Sequence, residues 1–180
     1  RYIGDWSSDV CSSDLGDDWY NEPQLENKDA DANMVLDENK DPSYLTNQAT
    51  HKEYVRSGYS RGHLSPASYH AHEGKEASRS MTNIAPQIED FNNNIWSTLE
   101  EALYDIVKAN CSFVNGRIYF ITGVLPRKNT DRNTIHEGDN KRVNVPTHYW
   151  TAVCCDSSRS DNLQNGWSAG FIGENKPADE

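Results

Sequence analysis

A chain of 180 residues with a formal charge of −11 has room for one domain and not for two well-cored ones. Leu, Ile, Val and Phe make only 31 residues, a share that with this charge points toward disorder or an incomplete chain; five Trp, nine Tyr and four Phe argue against disorder, because they carry large buried areas. No apolar run approaches the roughly 18–20 residues of a membrane helix, and the total charge excludes a strongly basic nucleic-acid binder.

Arg1–Leu15 (RYIGDWSSDVCSSDL) has neither a helix or strand period nor the apolar stretch of a signal peptide. Gly4–Leu15 resembles one reading frame of a sequencing adapter, so residues 1–15 are expected to be a non-native leader joined to a partial domain over 16–180. Residues 16–50 are polar, with Trp19, Tyr20, Leu25, Met34 and Leu45 as scattered anchors, and read as irregular. Glu53–Ser57 suggests a short strand before a turn at Ser57-Gly58. Asp90 is a candidate N-cap for a helix over Phe91–Asn110, with apolar residues at 91, 95, 96, 99, 103, 106 and 107 forming a stripe. Arg117–Val124 (RIYFITGV) reads as a buried strand, Lys128–Lys141 as a polar loop, Thr147–Cys155 as a second strand, and Trp167–Lys176 as another strand cut short. Helix and strands without repeated βαβ units indicate an α+β fold.

The charge is unevenly placed. Residues 1–50 hold three Lys/Arg against twelve Asp/Glu, residues 51–128 nine against eight, and residues 129–180 five against eight. The middle third can therefore still approach a polyanion through local Arg and Lys. With Cys11 set aside in the leader, Cys111, Cys154 and Cys155 remain. One bridge from Cys111 to either of the vicinal pair, with the last cysteine pairing outside the chain, suits a secreted protein; three buried thiols suit an intracellular one. No Cys-x-x-Cys is present to support a structural zinc site.

The densest polar cluster is Tyr59-Ser60-Arg61-Gly62-His63-Leu64. In extended backbone Arg61 and His63 lie on one side, and Gly62 permits close backbone approach between them. Phosphodiester hydrolysis needs a base near neutrality, a cation for phosphate, and usually a metal to neutralise the leaving oxygen. His63 and Arg61 have the chemistry of the first two. Asn92, in the first turn of the expected helix, and Glu100, eight residues on, nearly share a face, and a neutral amide with a distant carboxylate is compatible with a largely hydrated Mg²⁺. Each residue alone also has a plainer use: a sheet histidine, an ion-paired arginine, a turn asparagine at Asn83, a helix cap, a solvated glutamate. His70 and His72, with Glu73, are expected in a solvated loop, and His148 as a sheet residue.

Three motifs occur in order: Ser60-Arg61-Gly62-His63, Thr82-Asn83-Ile84-Ala85-Pro86-Gln87, and Asn92 with Trp96 and Glu100. Together they resemble the Asp-Arg-Gly-His, Thr-Asn-x-x-Pro-Gln and Asn-x-x-x-Trp-x-x-x-Glu elements of the DNA/RNA non-specific endonucleases of the ββα-metal type, over residues 18–176. Trp19–Leu25 (WYNEPQL) and Val143–Cys155 (VNVPTHYWTAVCC) are similar to a secreted subgroup of that family. The resemblance implies a central antiparallel sheet with a metal-bearing helix, here truncated at both ends, and an endonuclease of DNA and/or RNA that leaves a 5′-phosphate. It implies His63 as general base, Asn92 as ligand of Mg²⁺ (Mn²⁺ the alternative ion), Glu100 as holder of metal-bound water, Arg61 as phosphate contact, and Asn83 lining the site. Secretion is expected from the subgroup likeness. Two positions depart from the pattern: Ser60 stands where the motif has Asp, and Tyr104 where some bacterial members carry a phosphate-stabilising Arg. Those departures and the acidic charge leave a catalytically silent binding relative as the alternative.

Overall fold

The computed structural model describes residues 18–37, 45–111, 117–128, 134–137, 140–156 and 166–177. The expected leader at 1–15 lies outside them.

The N-terminal stretch is more ordered than its composition suggests. Strand β1 (Tyr20–Asn21) pairs antiparallel with β2 (Val35–Leu36), flanking the single turn α1 (Pro23–Glu26). The Glu26 carboxylate accepts from the backbone N–H groups of Thr46 and Asn47, and buried Gln48 accepts from the Glu22 N–H. Polar side chains rather than apolar periodicity therefore hold this segment.

The expected strand at 53–57 is instead the end of a helical turn, α2 (His51–Tyr54). Thr50 and Glu53 form a capping box, with the Thr50 N–H donating to Glu53 Oε2 at 2.8 Å. Two orphan donors are thereby satisfied, so this local signal outweighs the β-propensity of Tyr54-Val55. The chain then turns at Gly58, whose φ of 81° suits glycine.

Strand β3 (Tyr59–His63) follows and pairs antiparallel with β4 (Ile84–Ile88), with Arg61 opposite Pro86 and His63 opposite Ile84. Between them run a 3₁₀ turn (Ala67–Tyr69), α3 (Glu73–Ala77) and a second 3₁₀ turn (Met81–Asn83). β4 leads directly into the long helix.

That helix spans the expected residues but begins wide: Phe91–Trp96 is π-helical and Ser97–Asn110 (α4) is α-helical. Asp90 is not an extended N-cap; its backbone is already helical, and its carboxylate accepts from the Asn94 side chain. Because i and i+5 coincide in a π turn, Phe91 and Trp96 stay together in the core, 5.4 Å between ring centroids. Ile95 rotates out to 43% exposure, and Ile106 is likewise outside the buried stripe. Ser97 and Thr98 hydroxyls donate back to the Asn93 and Asn94 carbonyls, satisfying acceptors in this wide turn.

The main sheet is β5 (Arg117–Leu125), β8 (His148–Asp156) and β9 (Trp167–Glu174), antiparallel in the order β5-β8-β9. Its inner face packs Val153, Ile118, Phe120 and Phe171 against Leu103 and Val107 of α4. β5 is not buried on both faces as its apolar run suggests: Tyr119, Ile121 and Leu125 alternate outward. The expected loop at 128–141 contains β6 (Thr134–Glu137), which pairs with β7 (Asn140–Asn144); Ile135 buries itself beside Tyr54, Met81, Ile84 and Val145. One apolar residue in a polar run gives no visible period, yet it is enough to dock the hairpin.

Two polar clamps join the parts. Tyr149 donates to the Ala85 carbonyl at 2.8 Å, and buried Asn175 accepts from the Ile88 N–H while donating to the Pro86 and Pro146 carbonyls. A disulfide links Cys111 to Cys155, tying the end of α4 to β8, as one of the two sequence readings has it. Cys154, facing the other side of the strand, is exposed and unbridged.

Candidate active site

β3 divides its side chains by alternation. Arg61 and His63 line a cleft of about 640 Å³, while Gly62 turns the other way. A Cβ at position 62 would lie 2.2 Å from Gln87 Oε1 and 2.8 Å from the Tyr149 hydroxyl, so only glycine fits between the two cleft residues. The motif thus combines two outward functional groups with one inward close approach.

His63 is partly buried, and its Nε2 is buried without a hydrogen-bond partner among the described residues. Burial, reinforced by Arg61 and His70, pushes its pKa down to about 4, so the imidazole is neutral at pH 7. The Trp19 ring lies beside it at 5.8 Å. Arg61 stacks on the same Trp19 ring, with Cζ 4.7 Å from its centroid, and its Nη1 lies 3.1 Å from His51 Nδ1.

Asn92, from the π turn, lines the same cleft as His63 and Arg61. Its amide nitrogen donates to Asn93 Oδ1 at 3.1 Å, leaving its own oxygen as the ligand-capable atom. Glu100 is not on the cleft wall. It accepts from the Trp96 side chain, and burial raises its pKa to about 8. A wide turn carries about one extra residue, so one π turn and one α turn together span about eight residues and bring positions 92 and 100 onto one helix face.

Asn83, expected to line the site, does not line the cleft. Its side chain donates to the Ser65 and Ser78 carbonyls and accepts from the Ser65 N–H, while its backbone oxygen receives the Leu64 N–H. It clamps the chain immediately after His63. Ser60 lines the cleft, whereas Tyr104 stacks on Tyr69 at 6.3 Å, with Lys108 Nζ 5.7 Å from the Tyr104 ring. His70 bonds Ser65 Oγ at 2.7 Å and His148 bonds Thr147 Oγ1 at 3.0 Å.

The cleft also contains Trp19, which the sequence suggests only as an anchor, and His51, Arg56 and Arg79, which it does not single out. Among its described lining residues, three guanidiniums face one carboxylate, Glu89, so the cleft is cationic inside an acidic protein. The near-neutral charge of residues 51–128 was the available signal, but sequence spacing does not reveal which arginines converge.

Two antiparallel strands running into a helix, with His63 and Asn92 lining one cleft, define an α+β fold of the ββα-metal nuclease type. A family model described as DNA/RNA non-specific endonuclease matches residues 19–180. Human "Endonuclease G, mitochondrial" is 30% identical over 66% of this chain and 40% of its own length. Human "Endonuclease domain-containing 1 protein" is 24% identical over 89% of this chain and 30% of its own length. Among solved structures, the chain is similar to one described as "Crystal structure of the EndoG/EndoGI complex: Mechanism of EndoG inhibition", with TM-score 0.57 and 26% identity over 71% of this chain and 52% of that one. The chain belongs to the DNA/RNA non-specific endonuclease family. It spans less than half the length of the mitochondrial relatives from human and cattle that it matches. Among the described residues, no helix is long and apolar enough to cross a membrane.

Proposed function

We propose that this chain carries a metal-assisted, sequence-tolerant site that hydrolyses phosphodiester bonds of DNA and/or RNA. The observation that carries this reading is the His63 imidazole, neutral and with Nε2 buried and unpartnered among the described residues, on a cleft shared with Arg61 and Asn92. His63 takes a proton from the attacking water as general base; a neutral ring has the required lone pair at pH 7. Arg61 contacts the phosphate and offsets the charge that grows on its oxygens. The products are a 5′-phosphate and a 3′-hydroxyl.

The donor set suits a hard, largely hydrated cation. Asn92 and Asn93 offer amide oxygens and Glu89 a carboxylate at the cleft, while no cluster of three His, Cys, Asp or Glu occurs among the described residues. Asn92 would hold Mg²⁺ or Mn²⁺ through its amide oxygen, with Glu100 orienting the ion's water shell. When bound, the ion supplies positive charge at the phosphate and the leaving oxygen. Asn83 acts from behind, fixing Leu64-Ser65 and hence the end of the strand that bears His63. The Cys111–Cys155 bridge supports an oxidising, extracellular setting.

A plasmid-nicking assay with Mg²⁺ tests the reading. His63→Ala is expected to lose about 10²–10⁴-fold in rate while remaining folded under the assay conditions. Equal, low cleavage by both proteins would overturn the assignment and favour a binding-only relative.

A further inference from the structure

The Arg-Gly-His strand does not hold its guanidinium alone. Arg61 Nη1 lies 3.1 Å from Nδ1 of His51, a residue of another element. Arginine has five N–H donors, no acceptor, and stays protonated. His51 Nδ1 is therefore the acceptor, and the imidazole in this bond is neutral with its proton on Nε2.

His51 is well fixed for such a task. It opens α2, just after Thr50 of the Thr50–Glu53 capping box, and its own N–H donates to Asp37 Oδ2. The bond to Asp37 uses the backbone, and the ring meets Arg61. Trp19 lies against the same guanidinium, and all three side chains line the cleft. A long, rotamer-rich cation is thereby steadied by a neutral acceptor and a ring face.

We infer that His51 is a positioning residue for phosphodiester cleavage: as a neutral acceptor it orients Arg61, with Trp19, toward a phosphate oxygen. The inference rests on the proposed role of Arg61 as phosphate contact.

The test uses the whole 180-residue chain. Binding of a short fluorescein-labelled oligothymidylate is measured in chelator, where no turnover occurs, and kcat and KM are measured with Mg²⁺. His51→Ala keeps the backbone bond to Asp37 and is expected to raise the Kd about 5-fold, the loss of roughly one hydrogen bond. His51→Asn places an amide oxygen where Nδ1 stands and should restore most of the affinity; His51→Gln places it where Nε2 stands and should not. In an Arg61→Ala background, His51→Ala should have no further effect, because the two residues act as a unit. Wild-type binding by His51→Ala, persistence of its loss without Arg61, or rescue by Gln and not Asn each overturns the inference. If His51→Ala lowers the unfolding midpoint, the Asn and Gln pair carries the comparison. His51→Ala neutral with Arg61→Ala weak sinks this inference alone; Arg61→Ala binding as wild type removes the phosphate contact from the proposed function as well.

Discussion

Around α4, Leu103 and Val107 close against Val153 of the three-stranded sheet, a disulfide pins the helix end, and one buried polar atom, Trp167 Nε1, is unpaired among the described residues. Around β3 and β4, His63 Nε2, the Tyr54 hydroxyl and both amide atoms of Gln87 are buried without partners among the described residues. An unsatisfied buried polar group costs about 1–3 kcal/mol. Two regions of one chain thus differ: one is closed by apolar packing, and the other holds unpaired polar atoms, of which His63 Nε2 and the Tyr54 hydroxyl belong to cleft residues. The difference indicates that the cleft is maintained against its own energetics by the apolar body beside it, as functional sites commonly are.

If this division is real, removing the covalent tie should weaken the body and spare the chemistry. Cys111→Ala opens a link between residues 44 apart in sequence and is expected to cost about 2–4 kcal/mol. Urea denaturation with and without reductant checks this, because the gap between wild type and variant should vanish once the wild-type bridge is reduced. At a temperature where the variant stays folded, phosphodiesterase activity should match wild type. Activity falling in step with stability would show that the two regions are not separable.

Gly62→Ala probes the boundary from the other side. Its new methyl group would press on Gln87 and Tyr149, the residue that ties the main sheet to β4. Overpacking of this kind costs about 1–3 kcal/mol. Here stability and activity should fall together, since the backbone displaced is the one between Arg61 and His63. A variant with unchanged midpoint and unchanged kcat would mean that the tight fit at Gly62 does not set the position of the site.

What was legible beforehand follows the same divide. The helix over 91–110 and the strands near 117–125, 148–156 and 167–174 could be read because each is written locally, in a period; the bridge from Cys111 was one of two open readings, because its partners lie 44 apart in sequence. The π turn could not be read, because it depends on Phe91 and Trp96 both meeting Tyr149 from the main sheet. Ile135 gave no period, and the pairing of Arg61 with His51 needs α2 to be a capped turn rather than a strand. Of the candidate site residues, Arg61, His63 and Asn92 share a cleft, while Asn83 and Glu100 stand behind it.

The measurement most diagnostic of the divide separates two buried groups by sign. His63 has its pKa lowered from 6.5 to about 4, chiefly by burial, so between those values the unfolded chain binds the extra proton. Its contribution is complete above pH 6.5 and is lost as the pH falls toward 4. Glu100 is the reverse: burial raises it from 4.5 to about 8, so the folded chain holds the proton, and its contribution is complete below pH 4.5 and lost as the pH rises through 8. Urea midpoints measured in chelator from pH 4 to 9 should show His63→Ala flattening the acid side of the curve and Glu100→Gln flattening the alkaline side. Glu100→Gln should gain stability relative to wild type above pH 8, where wild type carries a buried carboxylate charge. An alkaline limb unchanged by Glu100→Gln would mean that the carboxyl is solvated in solution, and its place behind Trp96 would have to be redrawn.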